Sequence, residues 1–380
     1  MREKNMRTYE DTHVSVSLPM KCFIACLQLC LVVKSVGSSS SRKNVSGLAL
    51  YVFGDSTVDP GNNNNINTPL KSNFPPYGRD LPNHVPSGRF TNGKLATDYI
   101  ASYADVKIEF VPPYLESKLD MEELMSGVSF ASAGSGFDPL TPALSNVISM
   151  PKQLQYFREY KKRLENEVGR ERTETHIQKS AFLVSAATND FVVNYFLVPF
   201  RSKSFSVFTY QQFLVQQLKS LLQDLLVEGA REIAVVGLPP MGCLPIMITM
   251  NSFGGERGCI DKYSLIARDY NQMLQHELQI MQQRFSNSGA HFYYVDIYGP
   301  LADMIQAPHK YGFDEVNNGC CGSGYVETSF LCNDKSPACP DASKYVFWDS
   351  IHPTDKAYHY IFLAAQSTVD FILQRLQQRH

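Results

Sequence analysis

The stretch "LALYVFGDSTVD", residues 48–59, decides how the chain is read. Its first six residues are all apolar, the pattern of a strand covered on both faces, as in a parallel sheet. The run then stops on Gly54, Asp55, Ser56 and Thr57, with Asp59 two residues on. In open α/β sheets the ligand site lies beyond the carboxyl ends of the strands, so a serine at that tip stands where chemistry occurs. Taken alone, Ser56 suits a helix cap equally well.

Three more runs repeat the pattern: "AFLVSAA" at 181–187, "EIAVVGL" at 232–238 and "HFYYVDIY" at 291–298. Helix-period segments separate them. Residues 209–228 open on Thr209 as a cap, place Phe213, Leu214, Leu218, Leu221, Leu222 and Leu225 on one face, and stop at Gly229. Residues 261–285 repeat the design with Asp261 as cap and Leu265, Ile266, Met273, Leu274, Leu278 and Met281 as the buried stripe. Further helices are expected from Lys152 to Val168, with a charged outer face, and from near Pro353 onward. The alternation predicts one α/β domain, a mostly parallel sheet with helices on both sides. The Pro-, Gly- and Asn-rich stretch from Pro60 to Pro86 reads as a long surface loop, and Asn317 to Pro340 as a second one stapled by cysteines.

The remaining sequence sets limits. Of 380 residues, 44% are hydrophobic and 19% charged, the composition of a globular protein and not of a disordered one. Lys plus Arg number 35 against 37 Asp plus Glu, so the net charge of −2 supplies no field to attract nucleic acid. Near the N-terminus "CFIACLQLCLVV", residues 22–33, is too short to span a bilayer of ~30 Å but suits a signal-peptide core. Residues 1–37 are read as that signal, either unusually long or with translation starting at Met20, and residues 38–380 as the mature domain. A retained membrane anchor is the competing reading, and no stable membrane insertion is expected. Behind the leader stand six cysteines, Cys243, Cys259, Cys320, Cys321, Cys332 and Cys339. An even count in a secreted chain implies disulfides. Cys243 with Cys259 is the preferred short loop, and the other four allow three pairings. With no Cys-x-x-Cys or His pair at ligand spacing, no metal is expected. Asn44-Val45-Ser46 is a glycosylation sequon usable on the secretory route.

Polar residues at the other strand ends complete a possible chemistry. "FASAGSG", residues 130–136, offers a tight turn whose N–H groups can face an anion. "AATNDF", residues 186–191, delivers Asn189, and "WDSIHPT", residues 348–354, sets Asp349 three residues before His352. One turn at that spacing brings a carboxylate to the imidazole Nδ1–H and leaves Nε2 free to take a proton from a nucleophile such as Ser56. The amide of Asn189 and the N–H groups of Gly134 and Ser56 would then hold a developing oxyanion. A capping pair or half a metal site is the plainer reading of Asp349 and His352. The Gly-x-Ser-x-Gly elbow of α/β-hydrolases is missing; a Walker loop and Gly-x-Gly-x-x-Gly are also absent, and no cofactor is expected.

Several longer stretches carry a resemblance: "FGDSTVDPGNNN", "FPPYGRD", "SGRFTNGK", "GVSFASAGSGFDP", "TNDF", "GLPPMGCLP", "CCGSGYVE" and "YVFWDSIHPT". Together, over about residues 47–375, the chain resembles the plant GDSL-type esterase/lipase family of the SGNH hydrolase superfamily, in particular its extracellular members. The resemblance implies a flavodoxin-like three-layer α/β/α fold and a secreted ester hydrolase of the cell wall without cofactor, acting on lipid, polyester or acetylated polysaccharide. Ser56 would be the nucleophile, His352 the general base and acid, Asp349 its partner, and Ser56, Gly134 and Asn189 the oxyanion hole. An acyltransferase, or a wall-binding protein with little turnover, are the alternatives. Three positions depart from the family pattern: Thr57 stands for Leu, Ser129 for Asn, and Ala187 for the Gly before Thr-Asn-Asp.

Overall fold

A computed structural model describes residues 48–378 apart from 107–108, 117–118 and 253–255. The predicted leader, Met20 and Asn44 lie outside the described residues. Each apolar run forms a five-residue strand: β1 (Leu50–Gly54), β2 (Ala181–Ser185), β3 (Glu232–Val236) and β4 (His291–Val295). They pair in that order and all in parallel, with Val52 opposite Leu183. On the other edge of β1 the chain at 128–130 runs parallel to it: the Val52 N–H donates to the Val128 carbonyl at 3.1 Å and the Phe130 N–H to the Val52 carbonyl at 2.7 Å. Crossovers therefore leave β1 toward both sides. Such a reversal opens a crevice at the carboxyl end of that strand, and Ser56 stands there.

The period-two alternation of each strand divides two packed layers. Tyr51, Phe53, Phe182, Val184, Ile233 and Val235 pack with helices α2 (Met150–Val168), α3 (Val207–Val227) and α4 (Asp261–Phe285). Leu50, Val52, Leu183, Ala234 and Val295 face α1 (Ala96–Tyr103) and α5 (Asp355–Gln378). The arrangement is a three-layer α/β/α sandwich.

Helix starts differ from the sequence reading by a few residues. Ser206, not Thr209, caps α3, its hydroxyl accepting the Thr209 N–H. Asp261 is the first residue of α4 rather than its cap, and Pro353 lies in a bridge to Phe347, so α5 begins at Asp355. Leu265, expected in the buried stripe of α4, is exposed on the helix's outer side. The larger correction concerns Pro60 to Pro86. Its backbone is irregular as expected, and Asn65, Asn67, Asn73 and residues 82–85 are exposed, but Gly61, Asn62, Asn63, Ser72, Tyr77 and Leu81 are buried, so the segment is a surface loop only in part and is folded in along its inner side.

Downstream, β5 (Glu315–Gly319) and β6 (Tyr345–Phe347) form a small parallel pair. Three disulfides join Cys243 to Cys259, Cys320 to Cys339 and Cys321 to Cys332. Among the described residues no helix is long and apolar enough to cross a membrane.

Candidate active site

Strand β1 ends where it does because Gly54 lies against β2. Its φ is +151°, and a Cβ there would sit 2.0 Å from the Ser185 carbonyl oxygen, so only glycine fits. That carbonyl accepts the Asp55 N–H at 3.0 Å, and the Asp55 carboxylate takes the Thr57 N–H and hydroxyl at 2.9 and 2.8 Å. This tight turn carries Ser56 between two anchored residues. Gln153 locks it from α2: its amide donates to the Gly54 carbonyl and its oxygen accepts the Gly54 N–H, both at 2.9 Å.

The Gly134 turn is held by residues that follow the serine. Asp59 accepts the N–H groups of Gly61 and Asn62 with one oxygen and that of Ala133 with the other, at 2.7 to 2.9 Å. The Asn62 amide donates to the carbonyls of Ser129 and Ala131, and the Asn63 amide to those of Leu70 and Ala133. Gly134 has φ +86°, and a Cβ on it would run into Leu70 at 2.4 Å. Asn189 reaches the same turn, its Nδ2 donating to the Ser135 carbonyl at 3.0 Å. The neighbouring Asp190 accepts the N–H groups of Phe137 and Asp138, tying the far end of the turn to the end of β2.

Asp349 and His352 arrive from the segment after β6. The Asp349 carboxylate accepts the N–H groups of Ile351 and His352 at 2.9 and 2.8 Å, a local turn that sets its oxygens 2.8 and 2.9 Å from His352 Nδ1. On the other side of the ring Nε2 lies 2.7 Å from Ser56 Oγ. With the ring proton on Nδ1 toward the carboxylate, the serine hydroxyl donates to Nε2. Phe90 packs against the imidazole with ring centroids 5.0 Å apart. Ser56, Asn189, His352 and Asp349 are all buried, so their mutual attractions act with little screening by water.

Two further groups hold Asp349. Tyr77 donates its hydroxyl to the carboxylate at 2.7 Å and accepts the Ser329 N–H at 2.8 Å, and Thr328 donates to the same carboxylate oxygen at 3.0 Å. Thr328 and Ser329 lie inside the loop closed by Cys321 and Cys332. Burial by itself would raise the Asp349 carboxyl, but the charge on His352 and the hydrogen bonds from its ring and backbone hold it below the ordinary carboxylate range. Burial pushes Asp55 and Asp59 up to about 6, only partly offset by the N–H groups they accept.

The structure thus brings the sequence-expected Ser56, Asp349 and His352 into one hydrogen-bonded chain and sets Asn189 against the Gly134 turn. Sequence reasoning missed Asp59, Asn62, Asn63, Tyr77, Gln153 and Thr328. The run of four asparagines at 62–65 carried no signal of this role, because an Asn-rich stretch is also the ordinary composition of a solvated loop. Ala187 sits at φ +94°, in the region that favours glycine, and is fully buried. Among the described residues no cluster of three or more His, Cys, Asp or Glu could hold a metal ion.

Comparison with known proteins places the chain. The GDSL-like lipase/acylhydrolase family model matches residues 50–365. A protein named GDSL esterase/lipase from Arabidopsis thaliana is 55% identical over 339 residues, covering 88% of this chain and 90% of its own. A second of that name and organism is 43% identical, covering 86% and 90%. A lipase structure from a goat rumen metagenome aligns with 84% of this chain and 96% of its own at 11% identity and a TM-score of 0.39. The matched segment contains every strand of the sheet, the Ser56 turn and the Asp349–His352 segment, and the chain belongs to the GDSL-like lipase/acylhydrolase family of carboxylic ester hydrolases.

Proposed function

We propose that the mature chain, from about residue 38, is a secreted serine ester hydrolase that works through an acyl-enzyme on Ser56. The observation that carries the reading is the unbroken chain from Ser56 Oγ through His352 to the Asp349 carboxylate, with links of 2.7 and 2.8 Å. His352 Nε2 takes the serine proton as Oγ bonds to the ester carbonyl carbon, and the carbonyl electrons move onto its oxygen. The N–H groups of Ser56 and Gly134 and the Asn189 amide receive that oxyanion. Its collapse expels the alcohol, which takes the proton from His352 and leaves the acyl group on Ser56. Water, deprotonated by the same nitrogen, then releases the acid and restores the hydroxyl. Asp349, kept ionised, holds the ring and offsets the imidazolium charge that appears twice in the cycle.

Secretion to the cell wall is supported by the apolar leader and the three disulfides, and Asn44 is the glycosylation site of that route. The test is hydrolysis of p-nitrophenyl esters by oxidised secreted protein beside Ser56→Ala. Activity in the parent that disappears in the folded variant is expected. Equal activity in both would remove Ser56 from the mechanism, and added alcohol that diverts the acyl group away from water would make the enzyme a transferase.

A further inference from the structure

From Ser126 to Asp138 every residue is buried except Gly134, so this segment meets solvent at one point, the proposed oxyanion donor. Two half-buried apolar side chains border the opening. A Cβ on Gly134 would lie 2.4 Å from Leu70 Cδ1 and 3.6 Å from both methyls of Val147, so the two side chains crowd the same face of the glycine. They come from segments far apart in the sequence that are fastened to each other. The Thr68 hydroxyl donates to the Ser145 carbonyl and the Asn146 amide to the Asn67 carbonyl, both at 2.7 Å. Each segment is also pinned from behind. The Leu70 carbonyl accepts the Asn63 amide at 2.7 Å, the Val147 N–H donates to the Pro142 carbonyl at 3.1 Å, and the Ile148 N–H donates to the Ser132 hydroxyl at 3.1 Å. Leu70 and Val147 therefore form a fixed edge and not a loose flap.

In the proposed reaction the ester oxygen comes within about 3 Å of the Gly134 N–H, which brings the carbonyl carbon and what it carries up to this edge. The leaving oxygen has to face His352 Nε2 to take its proton, so the acyl α-carbon is the substituent left to lie against Leu70 and Val147. A methylene at that carbon is the slimmest link to a chain. A methyl branch on it adds volume where held apolar side chains already stand, and such overfilling is costly because the neighbours have to move. We infer that Leu70 and Val147 are specificity-determining residues, a steric lip at the oxyanion hole that favours acyl groups unbranched at the carbon next to the ester carbonyl. The lip reads branching at that one carbon and is indifferent to chain length. The inference rests on the ester-hydrolase reading of Ser56.

The test compares p-nitrophenyl butyrate with p-nitrophenyl isobutyrate, which share their leaving group and carbon count and differ only in the branch. The parent is expected to prefer butyrate, and Leu70→Ala to raise kcat/KM for isobutyrate relative to butyrate about tenfold. Leu70→Phe should move the ratio the opposite way, and Val147→Ala repeats the comparison if Leu70→Ala does not fold. A parent that takes both esters equally, or a ratio unmoved in the folded alanine variants while hydrolysis still depends on Ser56, would overturn the lip and leave the hydrolase reading standing. Hydrolysis that survives in Ser56→Ala, or no hydrolysis of either ester by folded parent, would sink the hydrolase reading and the lip with it.

Discussion

Asp59 and Asp349 are both fully buried carboxylates that each organise one half of the site, yet their proton affinities move in opposite directions. Asp59 accepts only backbone N–H groups, and burial leaves it at about 6. Asp349 faces His352 and accepts from two side-chain hydroxyls as well as backbone, and falls below the ordinary range. The difference separates two kinds of work. On the Ser56 side a buried acid raised to about 6, two asparagines and a glutamine brace the backbone of two turns. On the Asp349 side a carboxyl held below the ordinary range faces one imidazole, and a disulfide-closed loop backs it.

The largest effect expected from breaking the scaffold is Asp59→Ala. It leaves the buried N–H groups of Gly61, Asn62 and Ala133 without their acceptor, each costing about 1–3 kcal/mol, so a loss on the order of 3 kcal/mol or more should appear in denaturant unfolding. A loss under about 1 kcal/mol would mean that the turn is held by other groups. Asp59→Asn keeps an acceptor and removes the charge. Since the folded state binds this proton more tightly than the unfolded chain, with about 6 against 3.8, the wild type's contribution falls as pH rises between those values and stays low above them. Melting curves at several pH values should therefore lie closer together for Asp59→Asn than for the wild type.

A smaller effect, and of a different kind, is expected on the acid–base side. Tyr77→Phe removes a hydrogen bond to a carboxylate, worth about 1.5–3 kcal/mol. Because Tyr77 acts through Asp349 and not on the substrate, kcat should fall about tenfold or more while KM holds. Thr328→Ser, which keeps the donor, should retain activity that Thr328→Val loses. A rise in KM with kcat intact would make Tyr77 part of the substrate site and undo the division drawn above.

The smallest expected change lies between the two halves, at Ala187. A non-glycine residue at φ +94° carries backbone strain of about 1–3 kcal/mol. Ala187→Gly relieves it and loses part of the gain to the greater freedom of the unfolded chain. A net stabilisation of about 1 kcal/mol should be visible in denaturant midpoints. Lower stability in the glycine variant would show that the Ala187 methyl packs well enough to outweigh the strain.

The four strands were legible because each is a run apolar on nearly every residue, and Asp349 with His352 because their contact is local, three residues apart. The parallel segment at 128–130 was not, since "VSF" is too short to carry a period and is recognised only by the edge of β1 that it meets. The scaffold was hidden for the same reason at greater range. Asn63 meets Ala133 across 70 residues and Tyr77 meets Asp349 across 272, and no spacing rule links such positions. Two pairings among the last four cysteines were likewise decided by the fold, where Cys320 and Cys321 donate their N–H groups to the Phe347 and Trp348 carbonyls just before Asp349.

The Cys321–Cys332 bridge steadies more than the residues next to it. Thr328 and Ser329, inside the loop it closes, hold Asp349 and Tyr77, and the Ser329 hydroxyl also lies 3.2 and 2.9 Å from the Pro69 and Lys71 carbonyls on either side of Leu70, whose own carbonyl accepts from Asn63. Reducing that one bridge therefore loosens the support of both halves of the site together.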